Sequence, residues 1–171
     1  PAVVKIAVRN GGYEFWNNEE NAVISEGSGV VISEDGYIVT NHHVISMGNS
    51  FEVMTSDKTK WKATLIGSDE STDIAVLKIN KSSLPFLSLG NSDSVQIGQW
   101  VIAIGNPYQL SSTVTSGIVS AKGRTIDLLK GAYPLESFIQ TDAVFTEGNS
   151  GGALLNARGE LLVVNTTLFT K

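Results

Sequence analysis

The chain has 171 residues, of which 42% are hydrophobic and 17% charged. This length favours one domain, or two small ones that share an interface, and the composition argues against wholesale disorder. The net charge of −5 makes nucleic acid a poor partner. The chain lacks cysteine, which excludes disulfides, thiolate zinc sites and cysteine nucleophiles. Its apolar runs are far shorter than the ~18 residues that a membrane helix needs.

Short runs rich in Val, Ile and Thr, separated by glycines, predict an all-β chain folded as a sandwich or barrel. In chain order these runs are residues 30–32, 37–40, 74–79, 100–104, 113–119 and 161–167. Turns at Asp35-Gly36 and at Arg158-Gly159 predict two β-hairpins. No 12-residue stretch has a convincing helical period, although residues 126–130 are a candidate for one short helical turn.

The stretch 81–98 interrupts the strand pattern with serines, a proline and a Gly-Asn pair, so it is the best candidate for a connection between two halves. We therefore predict a first β-barrel over residues 1–83, a connection over 84–94 and a second β-barrel over 95–171. Residues 10–26, rich in Gly, Asn and Glu, are expected to form an exposed loop.

The segment Gly148-Asn149-Ser150-Gly151-Gly152 is the strongest candidate for chemistry. A serine flanked by glycines is suited to a tight turn with its hydroxyl exposed and its backbone N–H groups turned outward. Such N–H groups stabilise the oxyanion of a tetrahedral intermediate. The alternative interpretation is a simple Gly-Ser turn, because a serine without a neighbouring base is a poor nucleophile.

Two histidines, His42 and His43, follow the predicted strand and are the candidates for that base. The pair is alternatively a packing or surface feature, or a metal pair, but no carboxylate cluster nearby supports a metal site. Asp73 directly precedes the apolar run 74–77, where it is placed to orient an imidazole. Taken alone, Asp73 is better explained as a strand-terminal residue in an Asx turn.

The order His43, Asp73, Ser150 is one of the known chain orders of a Ser-His-Asp triad, the one found on the chymotrypsin-like double barrel. Several segments, in the same order along residues 27–166, resemble the HtrA (Deg) serine proteases. These segments are Gly27-Ser28-Gly29-Val30-Val31-Ile32, Gly36-Tyr37-Ile38-Val39-Thr40-Asn41-His42-His43-Val44, Thr72-Asp73-Ile74-Ala75-Val76-Leu77, Ala103-Ile104-Gly105-Asn106-Pro107, Thr113-Val114-Thr115-Ser116-Gly117-Ile118-Val119-Ser120, Ile139-Gln140-Thr141-Asp142-Ala143 and Gly148-Asn149-Ser150-Gly151-Gly152-Ala153-Leu154.

The resemblance implies an all-β, chymotrypsin-like double six-stranded β-barrel and assigns the candidate triad. The family pattern Thr-Asn-x-His-Val makes His43 the base and His42 the variable position. By the same pattern, Asp73 orients the imidazole and Ser150 attacks the substrate. The base must begin unprotonated, so activity is expected to fall in mildly acidic solution. The backbone N–H groups of Gly148, Asn149 and Ser150 are implied as the oxyanion hole.

The resemblance also implies substrate-binding residues. Thr166 corresponds to the hydroxyl residue that supports Asp73, and Thr167 and Leu168 fall on the strand that pairs with the substrate backbone. Phe145 and Leu168 match positions that line the pocket for the side chain before the scissile bond. Family members favour small or medium aliphatic side chains there, and Phe145 replaces a common Ile, so a shallower pocket is expected.

Three features depart from the family pattern. Thr146 and Glu147 replace an Asn and a variable position, and Glu147 either places a carboxylate beside the oxyanion site or points to water. Val163 stands where Gly is usual, and we interpret it as a packing residue. The family continues past Thr166 through a loop, a strand, a helix and commonly PDZ domains. This chain ends at Lys171, so its second barrel is expected to lack a last strand, and it contains no PDZ domain.

The activity implied is ATP-independent endopeptidase action on unfolded or damaged proteins through an acyl-enzyme, with no metal or organic cofactor. The resemblance further implies a homotrimer or higher homo-oligomer in the periplasm or cell envelope, with an organellar lumen as the alternative location. The competing interpretations are a latent or inactive protease domain that binds unfolded chains as a chaperone, and a plain β-barrel binding module. Reaction of Ser150 with a fluorophosphonate separates an enzyme from a module.

Overall fold

The computed structural model describes residues 1–11, 22–106, 112–125, 136–145 and 148–166. In these residues β-strands dominate. The strands are β1 (Val3–Arg9), β2 (Val23–Val31), β3 (Tyr37–Asn41), β4 (Ser50–Met54), β5 (Lys60–Asp69), β6 (Ile74–Ile79), β7 (Trp100–Gly105), β8 (Thr113–Arg124), β9 (Phe138–Thr141), β10 (Ala153–Leu155) and β11 (Leu161–Val164). One helical turn, α1 (His42–Ile45), follows β3. Within the described ranges, no helix is long and apolar enough to span a membrane.

The first six strands form a closed antiparallel barrel in the order β1-β2-β3-β6-β5-β4. Side chains alternate across each strand, so Val4, Ile6 and Val8 of β1 point into the barrel and are fully buried. Gly29 pairs with Val4 across β1 and β2, and a Cβ at Gly29 would lie 2.7 Å from Ile38 and 2.8 Å from Ile6. The glycine therefore leaves room for the aliphatic core at this point of the barrel.

The second half is a five-stranded antiparallel sheet in the order β11-β10-β7-β8-β9. Its inner strands β7 and β10 carry apolar residues on both faces. Val101 and Ala103 of β7 pack in the core of this half, whereas Ile102 and Ile104 pack against the first barrel. This arrangement explains why residues 100–104 form an unbroken apolar run instead of alternating with polar residues.

An apolar seam joins the two halves. It consists of side chains from the outer face of the barrel, from β7, β10 and β11, and from the segment before β7: Val3, Val30, Ala153, Leu155 and Leu161, with Ile32, Val39, Leu87, Ile102 and Ile104 around them. The segment before β7 continues this contact, since Leu161 donates its N–H to the Ser88 carbonyl (2.8 Å). The seam sets the relative position of the elements that carry the candidate site.

The predicted all-β, chymotrypsin-like architecture is confirmed, with one closed six-stranded barrel and a five-stranded partial barrel in the described residues. Both predicted hairpins are present, joining β2 to β3 and β10 to β11. The predicted loop at 10–26 is wrong at its end: β2 begins at Val23, because pairing with Val8 and Arg9 of β1 satisfies the backbone of this polar stretch. The helical turn predicted at 126–130 lies outside the described residues.

Candidate active site

The ends of two neighbouring strands bring His43 and Asp73 together. Asp73 immediately precedes β6, and His43 lies in α1 just beyond β3, the strand that pairs with β6. The Asp73 carboxylate is buried and accepts the backbone N–H of His43 at Oδ1 (2.9 Å). Its Oδ2 lies 2.7 Å from Nδ1 of the His43 ring. Because a carboxylate only accepts, Nδ1 carries the proton, and in the neutral ring Nε2 is the basic nitrogen.

The backbone of Asp73 is held in an unusual conformation. Its φ of 55° is left-handed, which a non-glycine residue adopts mainly where the surroundings impose it. Its carbonyl accepts the backbone N–H of His42 (3.0 Å) and the side-chain amide of Asn41 (3.1 Å). These bonds turn the carboxylate towards α1 and tie Asp73 to the end of β3.

Ser150 lies in a tight turn between β9 and β10. Gly148 and Gly151 have φ values of 90° and 82°, a left-handed conformation that glycine adopts without a steric penalty. Asn149 and Ser150 between them are buried. Gly105 at the end of β7 packs against Asn149 so closely that a Cβ there would overlap the Asn149 side-chain oxygen. The turn is thus held by the second sheet on one side.

The first barrel holds the other side of this turn. Ser28 in β2 donates its backbone N–H to the Ser150 carbonyl (2.8 Å). A Cβ on Gly27 would lie 2.8 Å from Val44, the residue after His43, and 3.2 Å from that same carbonyl. The serine turn and the helical turn that carries His43 therefore flank the same stretch of β2. No wider residue than glycine fits between them.

Thr166, just beyond the end of β11, contacts Asp73. Its hydroxyl donates to Asp73 Oδ2 over 3.4 Å, so a residue of the second half contacts the carboxylate that the first barrel supplies. The neighbouring Asn165 accepts the Gly151 N–H at its carbonyl (2.9 Å). The strand end after β11 thus contacts both the serine turn and Asp73.

Comparisons with known proteins identify the family to which the chain belongs. Residues 27–164 match the family described as trypsin-like peptidase domain. The chain is 50% identical over 149 residues to a probable periplasmic serine endoprotease, DegP-like, of Brucella suis, and 51% identical over 142 residues to a protein of the same description from Chlamydia trachomatis. These alignments cover 86% and 83% of this chain but only 28% of each relative.

A solved structure of the HtrA-type protease AlgW with a tripeptide superimposes on the whole chain and on 52% of the AlgW chain, with a TM-score of 0.84 and 42% identity. The chain belongs to the trypsin-like peptidase family, in its HtrA branch. It spans about half of the AlgW chain and just over a quarter of the curated relatives' length. The resemblance seen in the sequence is therefore confirmed at the level of family and fold.

A cleft of about 220 Å³ lies beside the site of this HtrA domain. Phe145 and Thr166, two of the sequence-predicted substrate-binding residues, both line it. Val163, the departure from the usual glycine, packs against the core of the second half and also lines this cleft. Thr167 and Leu168 lie outside the described residues, as do Thr146 and Glu147.

His43, Asp73 and Ser150 were predicted from the sequence, whereas a role for Ser28, which is fully buried between the two halves, was not. The signal was present in the Gly27-Ser28-Gly29 motif, since a polar residue between two glycines inside a buried strand needs a partner. Strand alternation places the glycines towards the barrel and Ser28 towards the second half.

Proposed function

We propose that this HtrA domain is a serine endopeptidase in which His43 is the general base, Asp73 the residue that orients it and Ser150 the nucleophile. The observation that carries the proposal is the pair of hydrogen bonds from His43 to the buried Asp73 carboxylate. This geometry leaves Nε2 of His43 as the nitrogen that accepts a proton. The DegP-like description of the relatives supports the same reaction class.

In the proposed mechanism the Ser150 oxygen attacks the carbonyl carbon of the scissile peptide bond while its proton passes to Nε2 of His43. The oxyanion that forms is stabilised by backbone N–H groups of the segment Gly148 to Ser150. The C–N bond then breaks, and His43 returns the proton to the leaving amine. Water hydrolyses the acyl-enzyme with His43 as base again, which releases the new carboxyl end and restores the Ser150 hydroxyl.

The proposed substrate is an unfolded polypeptide, cleaved without ATP. In the order of the second sheet β11 is an edge strand, and in the described residues its outer side is occupied only near Leu161, by residues 88–90. An extended chain is able to add to such an edge through its backbone, and Thr167 and Leu168 follow in the sequence after Thr166, which lies just beyond β11. The periplasm is the proposed location, since the relatives carry that word in their names.

The cleft beside the site is proposed to hold the side chain that precedes the scissile bond. Phe145 and Val163 line it, each with a larger side chain than the residue usual at that position, and its lining is largely apolar. Small aliphatic side chains such as Ala and Val therefore fit better than Phe or Tyr. A peptide library that shows preference for aromatic side chains at this position would contradict the assignment of Phe145.

The decisive experiment compares casein degradation by the protein and by its Ser150→Ala variant, with fluorophosphonate labelling of both. We expect cleavage and labelling by the parent only. Activity that survives in Ser150→Ala would overturn the mechanism. Absence of cleavage by a folded parent, combined with suppression of aggregation by both proteins, would favour the chaperone-like alternative.

A further inference from the structure

Ser28 links three parts of the molecule through hydrogen bonds of 2.7–2.8 Å. Its hydroxyl accepts the backbone N–H of Asn106 (2.7 Å) and donates to the Gly148 carbonyl (2.7 Å). Its backbone N–H donates to the Ser150 carbonyl (2.8 Å), and its own carbonyl accepts the Thr40 hydroxyl (2.7 Å). Ser28 itself has no solvent exposure, so its side of each bond is shielded from bulk solvent, where a hydrogen bond is electrostatically stronger than in water.

The direction of the Ser28 hydroxyl proton follows from its partners. A backbone N–H only donates, so the bond from Asn106 occupies a lone pair of the Ser28 oxygen. The Gly148 carbonyl only accepts, and therefore receives the hydroxyl proton. The result is a chain of bonds, Asn106 N–H to Ser28 O–H to Gly148 C=O, in which each bond polarises the next.

These bonds orient the peptide units of the serine turn. Ser28 binds the carbonyls of Gly148 and Ser150, while Gly152 donates its N–H to the carbonyl of Asn149 between them (2.9 Å). In a trans peptide the following N–H points opposite to the carbonyl. The carbonyls of Gly148, Asn149 and Ser150 are held towards β2 and Gly152, so the N–H groups of Asn149 and Ser150 point to the opposite side. These hydrogen bonds therefore orient the proposed oxyanion segment.

Neighbouring residues leave this arrangement little freedom. A Cβ on Gly151 would overlap both the Ser28 carbonyl and the Thr40 hydroxyl, and one on Gly105 would overlap Asn149. The turn is thus clamped between β2 and the end of β7. Ser28 is the residue within this clamp whose side chain reaches both Asn106 of the second sheet and the serine turn.

We propose that Ser28 is a positioning residue for the oxyanion hole, which it orients through the Gly148 carbonyl and connects to Asn106 at the end of β7. This inference rests on the proposed peptidase function. It adds a first-barrel residue that acts on the transition state without touching the substrate. None of the Ser28 hydrogen bonds described above is to His43 or Asp73. The effect of a Ser28 substitution on catalysis is therefore separable from an effect on the general base.

The test compares Ser28→Ala and Ser28→Cys with Thr55→Val. Thr55 is also a buried hydroxyl residue of the first barrel, bonded to Asp57 and to the Thr59 carbonyl in the turn between β4 and β5, so it controls for loss of stability alone. We expect Ser28→Ala to lower kcat roughly 10- to 100-fold, less than the ~10²–10³-fold loss that follows removal of an oxyanion donor itself. KM should change little, and Ser28→Cys should recover part of the loss.

A peptide boronic acid, which forms a tetrahedral adduct on the serine, gives a second readout. Its affinity should fall by about the same factor as kcat/KM in Ser28→Ala, because both depend on the oriented N–H groups. The position of the acid limb of the pH–rate profile should not move. Equal kcat and boronate affinity in the parent and in folded Ser28→Ala, or an equal loss in Thr55→Val, would overturn the inference.

A measurement independent of turnover separates this inference from the proposed function. If the parent shows no turnover that depends on Ser150, the peptidase proposal fails, whereas amide hydrogen exchange still examines Ser28. We expect the Asn106 amide to exchange at least about tenfold faster in Ser28→Ala and the Asn149 amide resonance to shift, with neither change in Thr55→Val. Unchanged exchange and resonances would exclude the positioning role.

Discussion

At the scale of single residues, the site depends on main-chain contacts as much as on side chains. Asp73 binds both the backbone N–H and the ring of His43, so the ring is oriented relative to the helical turn that carries it. The left-handed φ of Asp73 and the bonds to its carbonyl hold that geometry before any substrate arrives. Pre-organisation of this kind lowers the reorganisation that the reaction needs.

Replacing Asp73 by Asn keeps the size of the side chain but offers an amide that is able to donate to Nδ1. The ring is then stabilised in the wrong tautomer, so we expect kcat to fall about 10⁴-fold with little change in KM. Asp93→Asn, which alters an exposed carboxylate, is the control and should stay within about twofold of the parent. A comparable loss in both variants would contradict the orienting role of Asp73.

Gly151 and Gly159 have similar backbone conformations, so replacing each by Ala separates the cost of a left-handed φ from the cost of steric overlap. Gly151 and Gly159 have φ values of 82° and 77°, but a Cβ meets Ser28 and Thr40 at Gly151 and nothing within 4 Å at Gly159. We expect Gly159→Ala to lower the free energy of unfolding by about 1–2 kcal/mol and to keep activity. Gly151→Ala should cost about 2–5 kcal/mol and abolish cleavage. Urea denaturation measures both, and equal losses would contradict the packing described.

The residue scale also shows what the sequence alone leaves open. Spacing and order pointed to a His, an Asp and a Ser, but the choice of His43 over His42 came from the family pattern. In the structure His43 faces Asp73, and the resulting hydrogen bond agrees with that choice. The role of Ser28 was not predicted from the sequence because its partners Asn106 and Gly148 are 78 and 120 residues away, and no local pattern encodes such contacts.

At the scale of elements, strands bounded by glycine and rich in β-branched residues were predictable, and those with alternating charges were not. β6 and β7 have one buried face and, apart from the exposed Trp100, one partly buried face, and they appear as largely apolar runs. β5 has exposed residues along most of its length and carries lysines at 60 and 62, so its strand conformation depends on pairing with β4 and β6. Tertiary pairing of this kind overrides local preference.

The turn between β5 and β6 positions Asp73, and Asp69 organises it. The Asp69 carboxylate accepts the Ser71 hydroxyl (2.7 Å) and N–H (2.9 Å) and the Thr72 hydroxyl (3.1 Å). The Ser71 hydroxyl is the largest cause of an Asp69 pKa below its ordinary value. The support from the ionised carboxylate is therefore complete above that ordinary value and is lost only as the pH falls through the lower, folded-state value.

We therefore expect Asp69→Ala to lower kcat moderately, roughly two- to fivefold, by loosening the turn that holds Asp73. The ratio of variant to parent activity should be constant between about pH 5 and 8, because Asp69 stays ionised throughout that range. Paired pH–rate profiles measure this ratio. A ratio that drifts towards one at pH 5 would show that the Asp69 carboxylate loses its charge there.

At the scale of the whole molecule, the proposed machinery is divided between two halves. The barrel supplies His43 and Asp73, and the second sheet supplies Ser150, so the seam between them is part of the site's support. Family resemblance predicted the two halves, whereas the seam was not predictable from local patterns. Its members are ordinary aliphatic residues, and only the alternation along β7 and β10 assigns them to one face or the other.

Truncation of Leu155 tests whether the two halves unfold together. Leu155 is buried in the seam, whereas Leu89, the matched control, is 71% exposed. We expect Leu155→Ala to lower the free energy of unfolding by about 2–5 kcal/mol and Leu89→Ala to change it by less than about 0.5 kcal/mol. Urea transitions followed by activity and by tryptophan fluorescence should coincide in each variant, because the seam and the Ser28 bonds couple the halves. Loss of activity well before the fluorescence change in Leu155→Ala would show instead that the halves part while each remains folded, and that the site depends on the seam more than on either core.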